Sequence, residues 1–144
     1  MTTFVVVADG SRARLMKSEG FKSPLVEFED LANPSGRMMS REQVSDRPGR
    51  STGSFGGGIH SMDPRTDIKE QEQQEFAHLL GSRLELARTR GECDKMILVA
   101  APAFLGLLRK ELSPTTSRMI TTEVDKDLVL ETPRKIRSRL PYRI

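Results

Sequence analysis

The residues best suited to chemistry cluster in one glycine-rich stretch of the chain, Ser45–Pro64, which reads SDRPGRSTGSFGGGIHSMDP. Glycine lets backbone N–H groups approach an anion closely, and arginine adds charge-assisted hydrogen bonds. The candidate binding residues of this loop are Arg47, Arg50, Gly56, Gly57, Gly58 and His60. The alternative is a surface loop whose glycines only avoid regular structure.

His60 lies in the same stretch, three residues before Asp63. Histidine titrates near neutral pH, and a neighbouring carboxylate can orient the ring as a general base. His60 and Asp63 are therefore candidate catalytic residues for the hydrolysis of an ester or phosphoester. The alternative is a solvated loop histidine with no chemical role.

The sequence does not indicate the other common kinds of catalytic or cofactor site. No Gly-Lys-Ser/Thr follows the glycines, so the loop does not match a Walker A phosphate loop. His60 and His78 are 18 residues apart with Cys93 beyond them, which is not the ligand spacing of a zinc site. We expect neither a metal ion nor a cofactor.

A second candidate site is the basic C-terminus. Residues 132–144 hold five basic side chains and no acid, so in a chain of net charge +3 the remaining residues sum to −2. Four of the five fall within two helical turns: Arg134, Lys135, Arg137 and Arg139. Such a cluster can neutralise the phosphates of RNA, and the alternative is a solvated terminal helix. Arg12 and Arg14 share one face of a predicted strand and extend this basic surface or keep the face soluble.

The composition indicates which kinds of ligand and which cellular compartment to expect. With no tryptophan, one tyrosine and six phenylalanines, a broad stacking platform for single-stranded nucleic acid is not expected. The single cysteine fits a reducing compartment. The N-terminal apolar run lacks a basic flank and is too short to span a membrane, so we expect a cytoplasmic protein with no membrane contact.

The hydrophobic pattern predicts one α/β domain over residues 1–144, with a mixed five-stranded sheet and the order βββ-loop-αβαβα. The predicted strands are Phe4–Ala8, Ala13–Met16, Leu25–Leu31, Lys95–Ala101 and Arg118–Val124. The first three follow one another through short turns and form an antiparallel meander. A helix followed by an apolar strand predicts a parallel crossover.

Three helices are predicted, after a long glycine-rich loop over residues 32–65. The first begins near Thr66 or Asp67, with Asp67 as N-cap, and ends at Gly91. Its buried stripe is Phe76, Leu80, Leu84 and Ala87. The second runs from Pro102 until Ser113-Pro114 ends it. The third, which is basic, runs from Thr132-Pro133 through Leu140, with N-cap and N1 chemistry at its start.

Several separated blocks of this chain resemble the bacterial host attachment protein family, the proteins required for attachment to host cells. The blocks are FVVVADGSRARLM, SDRPGRS, GSFGGGIHSMDP and ILVAAPAFLGLLRKELS, in that order across about residues 3–130. The resemblance implies a role in host attachment. Because the sequence shows no export feature, we expect that role to be indirect, through expression or stress physiology.

The same layout is similar to the middle domain of archaeo-eukaryotic class I release factors. The corresponding pieces here are Val5–Ser11, Gly56–Gly58, Asp67–Arg90 and Ile97–Phe104. This resemblance implies a ribosome- or RNA-associated setting. The release-factor loop ends in Gly-Gly-Gln, whose glutamine places the hydrolytic water, whereas Ile59 and His60 follow the glycines here. The resemblance therefore does not carry the hydrolase activity over to this chain.

The expected function is non-catalytic binding of RNA or the ribosome through the glycine-rich loop and the basic C-terminal helix. One alternative is a hydrolase related to peptidyl-tRNA hydrolases, with His60 as base. Another is a protein–protein interaction module that acts indirectly in host attachment. The residues do not define an oligomeric state.

Overall fold

A computed structural model describes residues 1–20, 23–33, 64–141 and 144. Within these residues the strands are β1 Thr3–Ala8, β2 Arg12–Ser18, β3 Val26–Ala32, β4 Lys95–Val99 and β5 Ile120–Val124. The helices are α1 Pro64–Thr89, α2 Pro102–Glu111, α3 Pro114–Ser117 and α4 Pro133–Ser138. The strand bounds differ from the predicted ones by at most two residues.

The five strands form one mixed sheet in the order β3-β2-β1-β4-β5. β1 pairs antiparallel with β2, and β2 pairs antiparallel with β3. β4 lies parallel to both β1 and β5, since α1 and α2 return the chain to the starting edge of the sheet. The predicted meander, crossover and mixed α/β fold are confirmed.

The central strand β1 is buried on both faces of the sheet. Phe4 and Val6 belong to the cluster under α1 and α2, whereas Val5 and Val7 pack against the C-terminal segment 128–140. The predicted stripe of α1 is confirmed, because each of its members is at most 1% exposed: Phe76, Leu80, Leu84 and Ala87. The C-terminal segment is therefore one of the two layers that cover the sheet.

The end of α1 was predicted correctly and its start was not. Gly91 has φ +67°, and its N–H donates to the carbonyl of Arg88 while the N–H of Glu92 donates to Ala87. This is the Schellman arrangement, which favours glycine. The helix begins at Pro64, so Asp67 lies in the first turn and is not the N-cap. Proline is well tolerated at a first helical position, and the prediction placed it outside the helix.

The short helix α3 was missed, because Ser113-Pro114 was interpreted only as the end of α2. The same pair also begins α3, since Ser113 Oγ accepts from the N–H of Thr116 at 3.2 Å. A serine N-cap followed by proline is a start signal for a helix as well as a stop for the preceding one. As a result β5 starts at Ile120, not at Arg118.

Glu85 connects α1 to the junction between α2 and α3. Its carboxylate accepts from the Ser113 N–H at 2.9 Å and from Ser113 Oγ at 3.0 Å, and it pairs with Arg88 at 3.3 Å. Burial alone raises the pKa of Glu85. Hydrogen bonds from Ser113, Thr116 and Arg88 outweigh that effect and lower the pKa from 4.5 to about 2.

We expect Glu85→Gln to lower the free energy of unfolding by about 1–3 kcal/mol at neutral pH, because the charged acceptor is lost. The folded pKa of about 2 lies below the ordinary 4.5, so the contribution of Glu85 is complete above the higher value and is lost as the pH falls through the lower one. Urea denaturation of both proteins at several pH values measures this difference. A difference that stays constant from neutral pH to the folded pKa would contradict the assignment.

α1 and α2 pack closely against each other at Gly81. A Cβ atom there would lie 2.8 Å from Glu111 Cβ and 3.3 Å from the Glu111 carbonyl oxygen. At Gly106, inside α2, an added Cβ would meet nothing within 4 Å. The two glycines therefore form a matched pair, one required by packing and one not.

We expect Gly81→Ala to destabilise the protein by about 1 kcal/mol, because the cost of overpacking exceeds the gain in helix propensity. Gly106→Ala should instead stabilise it by up to about 1 kcal/mol, since only the propensity changes. Urea denaturation of the two variants provides the comparison. Equal stabilisation by both alanines would show that α1 and α2 are not in close contact at Gly81.

Candidate nucleic-acid interface

The glycine-rich candidate site lies outside the described residues. This applies to its anion-binding and catalytic candidates alike: Arg47, Arg50, Gly56, Gly57, Gly58, His60 and Asp63. Their roles stay predictions. The geometry below concerns the other candidate, formed by the basic C-terminus and the arginines of β2.

The basic helix α4 is anchored in the core. Ile136 is fully buried and Leu140 is 7% exposed, and both belong to the cluster that covers Val5 and Val7. Thr132 Oγ1 accepts from the N–H of Lys135 at 3.1 Å, which is the N-cap that the sequence predicts. The helix ends at Ser138, not at Leu140 as predicted. Its outward side chains are therefore carried by a fixed scaffold.

Three of the four predicted basic residues of this helix face solvent. Arg134, Lys135 and Arg139 are exposed, and none of them forms an ion pair with the part of the chain that the structure describes. We call these three residues the cationic surface. Arg137 differs, since it is half-buried and its Nη1 donates to the carbonyl of Pro141 at 2.9 Å.

Arg14 of β2 connects the sheet to the segment that precedes α4. It is 7% exposed, and its Nη1 donates to the carbonyls of Val129 at 2.8 Å and Glu131 at 2.6 Å. Its Nε and Nη2 donate to Glu27 at 3.1 and 2.7 Å. Because these contacts occupy the guanidinium within the protein, we give Arg14 a structural role and no RNA contact.

Arg12 lies on the same sheet face as Arg14 and α4, since residues two apart on a strand share a face. It pairs with Asp30 at 3.3 Å, and the two side chains are 42% and 50% exposed. The hydrogen bond and the charge of Asp30 raise the pKa of Arg12. Arg12 thus lies on the α4 side of the sheet, with its charge compensated by Asp30.

The other candidate groups in the described part of the chain are one thiol and one imidazole. Cys93 is buried, and burial raises the pKa of its thiol to about 11, so it is neutral at physiological pH. His78 is exposed, with Nδ1 2.8 Å from Glu111 Oε1. It lines an open groove of about 530 Å³ beside Asn33 and the outer side of α1. In the described ranges, no three His, Cys, Asp or Glu side chains converge as metal ligands.

The role of Arg14 was not recognised in the sequence. Its neighbours Ala13 and Leu15 are fully buried, but residues one apart on a strand point to opposite faces, so they give no signal for the face that carries Arg14. Its partner carbonyls at Val129 and Glu131 are more than a hundred residues away along the chain. No local pattern connects these positions.

None of the helices in the described part of the chain has both the length and the apolar character needed to cross a bilayer. α1 is the longest of them and is rich in charged and amide side chains.

Comparison with solved structures shows the fold. The crystal structure of an archaeal translation termination factor, aRF1, is similar with a TM-score of 0.50 and 12% sequence identity. The similarity covers 85% of this chain and 29% of that one. At this level of identity the comparison establishes a shared fold, as the sequence resemblance predicted.

Comparison of sequences shows the family. An uncharacterized protein of Rickettsia prowazekii (strain Madrid E) is 33% identical over 70 residues, and the match spans 47% of each chain. The chain thus covers about half the length of this curated relative. A family model described as "Protein required for attachment to host cells" matches residues 4–140. Since that match takes in both layers of the sheet and α4, this chain belongs to the family of proteins required for attachment to host cells.

Proposed function

We propose that this protein binds RNA at the ribosome, in the cytoplasm, through its cationic surface and without catalysing a reaction. The observation that carries the proposal is the state of Arg134, Lys135 and Arg139. They are exposed, they lack carboxylate partners among the described residues, and they lie in or directly after a helix anchored by Ile136. Uncompensated cations on a rigid support suit phosphate binding, which supplies most sequence-independent affinity for nucleic acid.

The distribution of charge supports the same conclusion. Arg83, Arg88 and Arg109 each pair with a glutamate. Residues 132–144 contain no acid at all, and the rest of the chain carries a small negative excess. This separation favours an approach to a polyanion with the α4 face leading.

The fold shared with a translation termination factor is a second, weaker support for a ribosomal setting. A binding role is proposed, not a hydrolytic one, because Ile59 and His60 follow Gly56–Gly58 at the point where the release-factor loop has its glutamine. No glutamine occurs between Gln43 and Gln71. The glycine-rich loop, with Arg47 and Arg50, is included in the proposal as a second RNA contact. On this account the protein acts in attachment to host cells indirectly.

Co-sedimentation with ribosomes tests the proposal. We expect the protein to pellet with ribosomes at low salt and to be released at high salt, since phosphate contacts depend on counterion release. The triple variant Arg134→Gln, Lys135→Gln, Arg139→Gln should pellet far less at low salt. The control triple Lys69→Gln, Lys110→Gln, Arg118→Gln removes the same amount of charge, but from the side of the sheet that α1 and α2 cover. It should behave like the wild type.

Absence of co-sedimentation at low salt would contradict RNA binding at the ribosome. Equal losses in the two triple variants would show that total charge matters and the cationic surface does not. Turnover of peptidyl-tRNA that disappears with His60→Ala would contradict the non-catalytic part of the proposal and favour a hydrolase.

A further inference from the structure

We infer that the cationic surface recognises the sugar–phosphate backbone of double-stranded RNA, independently of base sequence, in preference to single-stranded RNA. This inference rests on the proposed function and specifies its ligand. It follows from two observations, the anchored backbone that carries the cations and the position of the aromatic side chains that the structure describes.

The backbone that carries the cations is held in a fixed position on the domain. Thr132 caps α4, Ile136 is fully buried beneath it, and the Ile136 N–H donates to the carbonyl of Thr132 at 2.9 Å. The turn before the helix is closed by the Glu131 N–H on the Leu128 carbonyl at 3.0 Å. Arg14 then ties the same turn to β2 through the carbonyls of Val129 and Glu131.

Cations on such an anchored backbone suit the regular phosphates of a duplex better than those of a flexible strand. A rigid surface loses little conformational entropy when it meets a rigid ligand. A single strand must be ordered by the protein, which costs free energy that stacking normally offsets. The geometry of α4 therefore favours the duplex, provided that no stacking platform accompanies it.

The described aromatic side chains do not offer that platform. Phe4, Phe76 and Phe104 are each at most 3% exposed. Phe28 is partly exposed, but its ring lies 5.0 Å from that of Phe4, which belongs to the cluster on the opposite sheet face from α4. Single-strand binders need exposed rings for the bases, whereas duplex RNA is recognised by shape and backbone contacts.

Fluorescence anisotropy at low salt with labelled RNAs of equal length tests the inference. The probes are two duplexes of unrelated sequence, each about 16–20 base pairs, the span that a duplex-binding domain covers, and one unstructured oligouridine strand. We expect both duplexes to bind with similar affinity, and at least about tenfold more tightly than the single strand. The triple variant Arg134→Gln, Lys135→Gln, Arg139→Gln should lose duplex affinity, and the control triple Lys69→Gln, Lys110→Gln, Arg118→Gln should keep it.

The outcomes separate the inference from the function on which it rests. Equal or tighter binding of the single strand, or strong discrimination between the two duplexes, overturns the inference and leaves RNA binding standing. Failure to bind any of the three RNAs overturns the proposed function itself. Loss of duplex affinity in the control triple would place the contact away from α4.

Discussion

Replacing Arg14 with methionine is expected to lower the free energy of unfolding by about 2–4 kcal/mol, because two backbone carbonyls and a carboxylate would lose the buried, charged donor that they share. Methionine fills much of the same volume but leaves the carbonyls of Val129 and Glu131 without donors, together with the carboxylate of Glu27. Urea denaturation of the two proteins at neutral pH measures the effect. This is the largest stability change that we expect from a single polar residue of the chain.

Arg12→Met is the matched control for this prediction. It makes the same chemical change two residues away, on the same strand and the same face. The ion pair of Arg12 with Asp30 is about half exposed, so we expect a loss of less than about 1 kcal/mol. A loss at Arg12 as large as that at Arg14 would contradict the structural role that we give to Arg14.

Ile136→Ala is expected to cost about 2–5 kcal/mol, because it leaves a cavity under α4. Ile136 is fully buried against the face that carries Val5 and Val7. Since the same residue anchors the cationic surface, the variant should also bind RNA less tightly at temperatures where the domain is still folded. Chemical denaturation and RNA binding, measured on the same preparation, provide the two readouts.

Leu130→Ala is the control for the cavity. Leu130 is 85% exposed, and its truncation should change the free energy of unfolding by less than about 0.5 kcal/mol. It lies close to α4 in sequence but carries no charge, so RNA affinity should also stay unchanged. A large effect of Leu130→Ala on RNA affinity would point to an apolar contact at this face and to a protein partner.

The parts of the fold that depend on local patterns could be predicted from the sequence. The stripe of Phe76, Leu80 and Leu84 follows helical periodicity, and Gly91 and Thr132 carry cap chemistry that acts over a few residues. The family resemblance came from blocks of sequence spread over most of the chain, and the match over residues 4–140 bears it out.

The parts that depend on contacts distant in sequence could not be predicted. Arg14 and Arg12 look alike in the sequence, yet one is buried under Val129 and the other is half exposed. Glu85 is one of many acids of α1, and only the fold brings Ser113 to it. The fold also decides which residues of the basic cluster are available to a ligand. Arg137 donates to the carbonyl of Pro141, while Arg134 and Lys135 face solvent.

The salt dependence of RNA affinity tests the central claim most directly, because its slope counts the phosphates that the cationic surface neutralises. The dissociation constant for a duplex RNA would be measured from low to moderate salt for the wild type and for both triple variants. We expect the slope of log affinity against log salt to become shallower by about 2–3 when Arg134, Lys135 and Arg139 are neutralised, near one for each phosphate that the variant no longer binds. The control triple should keep the wild-type slope, and an unchanged slope in the first triple would contradict the claim that this surface binds RNA.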